Sequence, residues 1–312
     1  MFRLFPSFYK KYMKYHCKIV GHEPLLESLE RDLSEDNLSH AYLFVGPEKV
    51  GKSIVAKNFA HILQCEKDFC HECSTCTQIE KSCHPDTIEF QDDRESIKIE
   101  QIREVLARLH MTTTGRHKIF LAERIERMTP ESANCLLKTL EEPPPNTIFL
   151  FTAVSLREVL PTIVSRLRVL QFHHCPENVL REKMKENYPD ADEETLTHVS
   201  QFALGKPGVA FRFMRDSEFL HFYRTMYQEI LLFLESPKIF DRFCFVQSLL
   251  ENEEKIEDFL NILTHIARGQ LLSNPLKRSR FLDILDQISR TRFAFRYNAN
   301  KKLTLERLMI HL

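Results

Sequence analysis

The 312-residue sequence has no tryptophan, only seven glycines and no excess of charge of either sign. Its 43 lysines and arginines are balanced by 44 aspartates and glutamates, so no overall positive field attracts the protein to nucleic acid, and such binding would need a local basic patch. No apolar run approaches the length of a membrane-spanning helix. With 43% hydrophobic residues the chain is too apolar for intrinsic disorder. We therefore expect a soluble globular protein, and its length favours two or three domains.

The nine cysteines are odd in number and unevenly spaced, and no secretory signal precedes them. These features argue against a disulfide framework and predict a reducing, cytoplasmic compartment. Residues 1–18 contain five basic side chains, several aromatic ones and no acid. We predict that this segment is an N-terminal extension. The alternative is a basic arm that contacts nucleic acid or a membrane.

The stretch from Gly46 to Ser53 matches the phosphate-binding loop pattern G-x-x-x-x-G-K-[ST] without a gap. It follows residues 41–45, an apolar run typical of a buried strand, and it opens a predicted helix. In such a loop Gly46 and Gly51 let backbone N–H groups surround the phosphates. Lys52 then reaches the β- and γ-phosphates, and Ser53 holds Mg²⁺. We predict a site for ATP and Mg²⁺. The alternative is a fortuitous glycine-containing turn.

Four cysteines follow that helix at close spacing: Cys65, Cys70, Cys73 and Cys76. Two C-x₂-C steps and a fourth sulfur supply four thiolates, which can close a tetrahedron around Zn²⁺ and leave no open position for catalysis. We predict a structural zinc module at residues 65–76. Scattered buried cysteines or a redox C-x-x-C pair are the alternatives, and the neighbouring Cys83 or His84 could replace one ligand.

A predicted strand at residues 118–122 ends in Glu123-Arg124, where a P-loop ATPase normally has Asp-Glu. In that pair the first carboxylate orients Mg²⁺ and the second polarises the attacking water. Glu123 keeps a carboxylate in the first position. Arg124 cannot act as a general base, because its guanidinium stays protonated at any working pH. The sequence therefore predicts a chain that binds nucleotide and is poorly equipped to hydrolyse it.

Strand and helix patterns alternate through residues 19–172, with the phosphate loop at the first turn. This order predicts a mostly parallel sheet flanked by helices, an α/β core. From residue 173 onward the apolar residues recur at helical spacing, which predicts an all-α remainder.

Two further strings carry a family resemblance: Asn134 to Pro144, which reads NCLLKTLEEPP, and Ser165-Arg166. In order with the phosphate loop and the four cysteines, they resemble the AAA+ subunits of bacterial DNA polymerase III clamp loaders. The resemblance covers nearly the whole chain after residue 18. It implies that the α/β core is an AAA+ nucleotide-binding domain with an inserted zinc module.

The same resemblance implies a small helical lid at residues 173–214 and a helical collar at residues 215–312, through which five subunits form a ring. The gamma/tau motor subunits have Asp-Glu at the second ATPase motif and an arginine in the lid, where this chain has Glu123-Arg124 and Gly208. In these respects the chain resembles the delta prime subunits. It departs from them in its intact phosphate loop and in Leu167, which replaces the cysteine usual after Ser-Arg.

The delta prime resemblance implies that Arg166, with Ser165 beside it, is an arginine finger presented in trans to a neighbour's ATP. It also implies that Thr152 is a sensor residue. A surface salt bridge for Arg166 and an ordinary buried strand threonine are the alternatives.

The implied function is to load the sliding clamp onto primed DNA together with gamma/tau motor and delta subunits, with little ATPase activity of its own and no membrane partner. An active motor of the same family is the rival hypothesis. A zinc-bearing nucleic-acid-binding module with a vestigial phosphate loop is a third.

Overall fold

The computed structural model describes residues 19–67, 69–90, 96–113, 115–235, 238–251, 253–273 and 275–312. The predicted N-terminal extension at residues 1–18 lies outside these ranges. Within them, no helix combines the length and the apolar character that crossing a membrane demands. The chain forms two compact units: the first runs through Asn187 and includes Gly205–Val209, and the second comprises Tyr188–Leu204 and Ala210–Leu312.

The first unit is built on a five-stranded parallel sheet. Its strands in chain order are β1 (Ala41–Val45), β2 (Thr87–Phe90), β3 (Lys118–Ala122), β4 (Thr147–Ala153) and β5 (Arg168–Gln171). They lie side by side in the order β2-β3-β4-β1-β5, and every neighbouring pair is parallel. Every residue of β1, β3 and β4 is buried, as expected for central strands covered on both faces. The predicted parallel α/β core is confirmed.

Seven helices belong to the first unit in the described residues: α1 (Glu23–Ser34), α2 (Lys52–Gln64), α3 (Ser74–Glu80), α4 (Ile99–Leu109), α5 (Pro130–Glu141), α6 (Pro161–Val164) and α7 (Glu177–Asn187). Short 3₁₀ helices follow β3 at Ile125–Arg127 and β4 at Leu156–Glu158. Successive strand side chains alternate between two apolar clusters. Tyr42 and Phe44 pack with Phe59 of α2 on one face, whereas Leu43 packs with Leu136 of α5 on the other.

Helix α5 illustrates how local sequence sets the elements around the site. Thr129 precedes it, and its side-chain oxygen accepts the N–H of Ser132 at 3.3 Å, which caps the first turn. Pro130 occupies the first helical position, where its missing N–H costs nothing. The helix ends at Glu141, directly before Glu142 and a run of prolines that cannot continue it. Glu141 is therefore held at a defined helix end.

The second unit contains only helices in its described residues. They are α8 (Glu193–Phe202), α9 (Pro207–Arg215), which begins in the first unit, α10 (Ser217–Glu235), α11 (Ile239–Leu249), α12 (Glu253–Ser273), α13 (Arg278–Arg296) and α14 (Lys301–Ile310). Arg242 of α11 donates a hydrogen bond to the carbonyl of Met309 at 2.9 Å and so satisfies the carboxyl end of α14. The predicted all-α remainder is confirmed. The lid and collar boundaries stay predictions.

Candidate functional site

The phosphate-binding loop lies at the carboxyl edge of the sheet, between β1 and α2. Gly46 donates its N–H to the carbonyl of Ala153 in β4 at 3.1 Å, and its φ is 150°. A Cβ at this position would overlap the carbonyl oxygen of Phe172 and lie 2.9 Å from the Cβ of Phe172. Gly51 has a φ of 105° and precedes the first residue of α2. Both positions therefore need glycine, Gly46 for space as well as for conformation.

Lys52 is the first residue of α2, and only 8% of its surface is exposed. Its ammonium donates to the carbonyl oxygens of Gly46 at 2.6 Å and of Pro47 at 2.5 Å. Burial lowers the pKa of Lys52, while Glu48 opposes that shift. A phosphate bound in the loop would compete with these two carbonyls for the ammonium. Ser53 follows in the first turn of α2 and is half-buried.

The Glu123-Arg124 pair, which stands where a P-loop ATPase has Asp-Glu, follows β3 and lies beside the phosphate loop. Glu123 is half-buried there, and Arg124 is exposed. The backbone N–H of Arg124 donates to the hydroxyl of Thr152 at 3.1 Å. The guanidinium of Arg124 lies 3.5 Å from a carboxylate oxygen of Glu48 in the loop and 3.7 Å from one of Glu126. Arg124 thus links the phosphate loop to the 3₁₀ turn after β3.

The predicted nucleotide residues meet because β3, β4 and β1 are neighbours in a parallel sheet and end at the same edge. Ligands of open α/β sheets bind at this carboxyl edge. The contacts above connect the loop to the residues after β3 and to Thr152 near the end of β4. The sequence pointed to Glu123, Arg124 and Thr152, but it did not predict that Glu48 and Glu126 flank Arg124. The individual roles of these residues stay predictions.

Ser165 and Arg166 follow α6 and precede β5, at the opposite edge. The first residue of β5, Arg168, pairs with Tyr42 near the start of β1, whereas the loop follows Val45 at the end of that strand. With a rise of about 3.3 Å per residue, roughly 10 Å of β1 separates Tyr42 from Val45. The register therefore places Arg166 and the phosphate loop of its own chain at opposite edges of the sheet.

Three oxygens orient the guanidinium of Arg166. Its Nη1 donates to the carbonyl of Thr162 at 2.7 Å and to the hydroxyl of Ser165 at 3.1 Å, and its Nη2 donates to the carboxylate of Glu141. The Arg166 side chain is still 32% exposed. Glu141 was not among the predicted site residues. The sequence feature that could have indicated Glu141 is its place in the NCLLKTLEEPP string.

The four predicted zinc ligands converge between α2 and α3. Their sulfurs all lie within 4.8 Å of one another: Cys65, Cys70, Cys73 and Cys76. The Cys65 sulfur is 3.7 Å from that of Cys70 and 3.9 Å from that of Cys73. Zinc–sulfur bonds of about 2.3 Å in a tetrahedron give sulfur–sulfur edges of about 3.8 Å. The donor set and its spacing therefore fit Zn²⁺.

Backbone N–H groups support thiolate character in this cluster. The N–H groups of Glu72 and Cys73 donate to the sulfur of Cys70 and lower the pKa of that thiol to about 6. Burial instead raises the pKa of Cys76. Cys83 and His84, which the sequence offered as substitute ligands, are not among the four clustered sulfur ligands.

Comparison with known proteins places the chain among DNA polymerase III subunits. It is 29% identical over 247 residues to DNA polymerase III subunit gamma of Buchnera aphidicola subsp. Schizaphis graminum, covering 76% of this chain and 68% of that protein. It is 37% identical over 165 residues to subunit tau/gamma of Haemophilus influenzae, covering 51% and 24%. It is 32% identical over 167 residues to subunit delta' of Bacillus subtilis, covering 52% and 50%. The matches thus span between 24% and 68% of these relatives.

The model of a family described as "DNA polymerase III, delta subunit" matches residues 21–176. This range is half of the chain, and it includes the phosphate loop, the four clustered cysteines and Arg166. The chain therefore belongs to the DNA polymerase III delta subunit family and is a clamp-loader subunit of that polymerase.

Proposed function

We propose that the chain is a delta prime-like subunit of the clamp loader. In this function it joins gamma/tau motor subunits and delta in a five-membered AAA+ ring and helps to load the sliding clamp onto primed DNA in the cytoplasm. It contributes Arg166 to a neighbour's ATP site and turns over little ATP itself. The single observation that carries the proposal is the position of Arg124 beside the phosphate loop.

Hydrolysis needs a carboxylate that can polarise the attacking water at this position. Arg124 cannot do so, because its guanidinium remains protonated. The carboxylate two residues later, Glu126, is largely buried, accepts the N–H of Val154 at 3.3 Å and lies next to Arg124. Its Oε1 therefore holds the turn, whereas its Oε2 is buried without a hydrogen-bond partner and is shielded from solvent. The site retains the groups that bind phosphate and has a cation, Arg124, at the position where a motor has its base.

The geometry around Arg166 supports action in trans. The strand register separates this residue from the phosphate loop of its own chain, so a nucleotide that it contacts would belong to another molecule. An arginine supplied by a neighbouring subunit stabilises the charge that develops on the leaving phosphoryl group and is worth about 10³ to 10⁵ in rate. Glu141, Thr162 and Ser165 hold the guanidinium in one orientation, which reduces the entropy lost when it meets phosphate.

The four cysteines would hold zinc with a structural role. Bound zinc would cross-link the end of α2 to the start of α3. Protein sulfur would fill all four coordination positions of the ion. Cys73 also accepts the N–H of Cys76 at 3.4 Å and so caps α3. The cysteines in the described part of the chain are free of disulfides.

An active motor is the second candidate. The intact loop favours it, with Lys52 and Ser53 in place at the start of α2, and so does the sequence similarity to gamma and tau/gamma subunits. The two candidates differ in where ATP turnover occurs. In a motor it occurs at the chain's own Lys52. In a delta prime-like subunit it occurs in a neighbour and depends on Arg166.

The deciding experiment measures ATP hydrolysis by the full chain alone and in a complex reconstituted with motor subunits, delta, clamp and primed DNA. We expect negligible turnover by the chain alone. In the complex, Arg166→Ala should lower the stimulated rate by at least a hundredfold, while Lys52→Ala should leave it near the wild-type value. Arg157→Ala is the matched control, since Arg157 is an exposed arginine on the segment between β4 and α6.

Two results would contradict the proposal. Substantial turnover by the chain alone that Lys52→Ala abolishes would establish the motor function. An unchanged rate in the Arg166→Ala complex, or an equal loss with Arg157→Ala, would refute the assignment of Arg166 as the arginine supplied in trans.

A further inference from the structure

A second group of metal-binding side chains lies next to the cysteine cluster. His61 is in the last turn of α2, His71 lies between Cys70 and Cys73, and Glu80 is the last residue of α3. Each of the three offers one ligand atom, and these atoms all lie within 4.8 Å of one another. The neighbouring cysteines and the two helices bring them together although they are up to 19 positions apart in the sequence.

The burial of His61 distinguishes this group from a surface ion pair. Its side chain is buried, with 6% of the residue exposed, and its Nδ1 has no hydrogen-bond partner. A buried polar atom without a partner is rare in folded proteins and costs stability, so its retention needs a physical reason. A bound cation that accepts the lone pair of the imidazole is such a reason.

His71 adds a second unusual feature. It has a left-handed backbone conformation with a φ of 57°, which is uncommon for a residue other than glycine and is often found at ligand sites. This conformation brings its Nδ1 to 3.0 Å from a carboxylate oxygen of Glu80. The His71 ring centroid is 6.1 Å from that of His61. The strained loop thus presents His71 to both other members of the group.

From these features we propose that His61, His71 and Glu80 form a second metal site, for Zn²⁺ or a similar divalent transition metal, distinct from the four-cysteine site. Two imidazoles and one carboxylate are a ligand set used for zinc, and imidazole also suits copper and nickel. Three protein ligands leave a fourth position for water or another small ligand. The side chains of His71 and Glu80 are 45% and 49% exposed, so an ion can enter from solvent.

The two sites differ in a way that an experiment can separate. Four thiolates fill every coordination position around their ion. The two imidazoles and one carboxylate leave one position open, and His71 and Glu80 are exposed, so this ion exchanges with solvent more readily. The ion of the second site is therefore expected to be lost to a mild chelator that leaves the cysteine site loaded. This inference does not depend on the clamp-loader function, since it concerns only metal stoichiometry.

The test is to load the full chain with Zn²⁺, remove excess metal, and count zinc per chain by elemental analysis before and after dialysis against a mild chelator. We expect two ions before and one after. Glu80→Gln and His61→Gln should each begin with one ion fewer than the wild type. His110→Gln, which changes an exposed histidine outside the group, should bind the same number as the wild type.

The readout is the difference of one ion between variant and wild type, so it remains valid even if the cysteines bind no zinc. Because His61 is buried and its replacement could unfold the unit, the exposed Glu80→Gln carries the decision, with circular dichroism as the check on folding. Equal zinc content in the wild type and Glu80→Gln would overturn the proposal and leave His71 and Glu80 as an ordinary ion pair.

Discussion

Replacing each of the two phosphate-loop glycines by alanine should destabilise the first unit by different amounts. Both residues have positive φ, 150° at Gly46 and 105° at Gly51, and alanine in such a conformation costs about 1 to 3 kcal/mol. At Gly51 no atom lies within 4 Å of the new Cβ, so this strain is the whole penalty. At Gly46 the Cβ would overlap the carbonyl of Phe172, which only a backbone shift can relieve.

The added cost at Gly46 can be worked out from its surroundings. Two backbone hydrogen bonds hold the loop against its neighbours: Gly46 to Ala153 at 3.1 Å and Phe172 to Val45 at 2.7 Å. Each contributes about 0.5 to 1.5 kcal/mol, and forcing extra volume into a packed site typically costs about 1 to 3 kcal/mol. We therefore expect Gly46→Ala to be less stable than Gly51→Ala by about 2 to 6 kcal/mol.

Native-state hydrogen exchange of the β1 amides, followed by mass spectrometry, measures this difference within the first unit alone. Gly269→Ala serves as the control, because Gly269 lies inside α12 of the second unit with no atom within 4 Å of an added Cβ. It should leave β1 exchange unchanged. Equal losses of stability for Gly46→Ala and Gly51→Ala would refute the argument that Phe172 dictates glycine at position 46.

Three further predictions follow from the contacts of the site. Glu141→Gln weakens the partly exposed ion pair between Glu141 and Arg166, which is worth about 0.2 to 1 kcal/mol. Stimulated ATP turnover in the reconstituted complex should therefore fall by about fivefold at most, far less than with Arg166→Ala. A fall equal to that of Arg166→Ala would contradict this prediction. Gly208→Arg puts a Cβ 3.0 Å from the carbonyl oxygen of Lys49, which lies in the phosphate loop. A titration with a fluorescent ATP analogue should therefore show weaker binding by this variant. Unchanged affinity would refute the steric argument. Cys73→Ser removes one of the four thiolates of the cysteine cluster. Elemental analysis should find one zinc ion fewer per chain, and the first unit should unfold at a lower temperature. An unchanged zinc content would exclude the cysteine site.

Local patterns in the sequence were sufficient to predict most elements around the site. The apolar run at residues 41–45 corresponds to β1, and the predicted strand at residues 118–122 corresponds to β3. Both are buried on two faces, so they stand out as short apolar runs. The predicted helix after the phosphate loop corresponds to α2, which begins at Lys52, directly after Gly51.

Strand β5 was not predicted. It has four residues, lies at an edge of the sheet, and pairs with β1. Arg168 and Gln171 give it a polar, partly exposed composition without a distinctive apolar pattern. Its identity as a strand depends on hydrogen bonds to β1, which local sequence does not encode.

The sequence by itself determined the parallel α/β core, the phosphate loop, the cysteine cluster and the unusual Glu123-Arg124 pair, because each depends on residue types at short spacing. Only the tertiary structure decided that Glu48 and Glu126 flank Arg124, that Glu141 orients Arg166, and that His61 meets His71 and Glu80. These partners come from separate elements, and strand register and helix packing set their distances. Ion-pair partners and metal ligands are side chains that lie close in space, and only the folded chain brings these distant residues together.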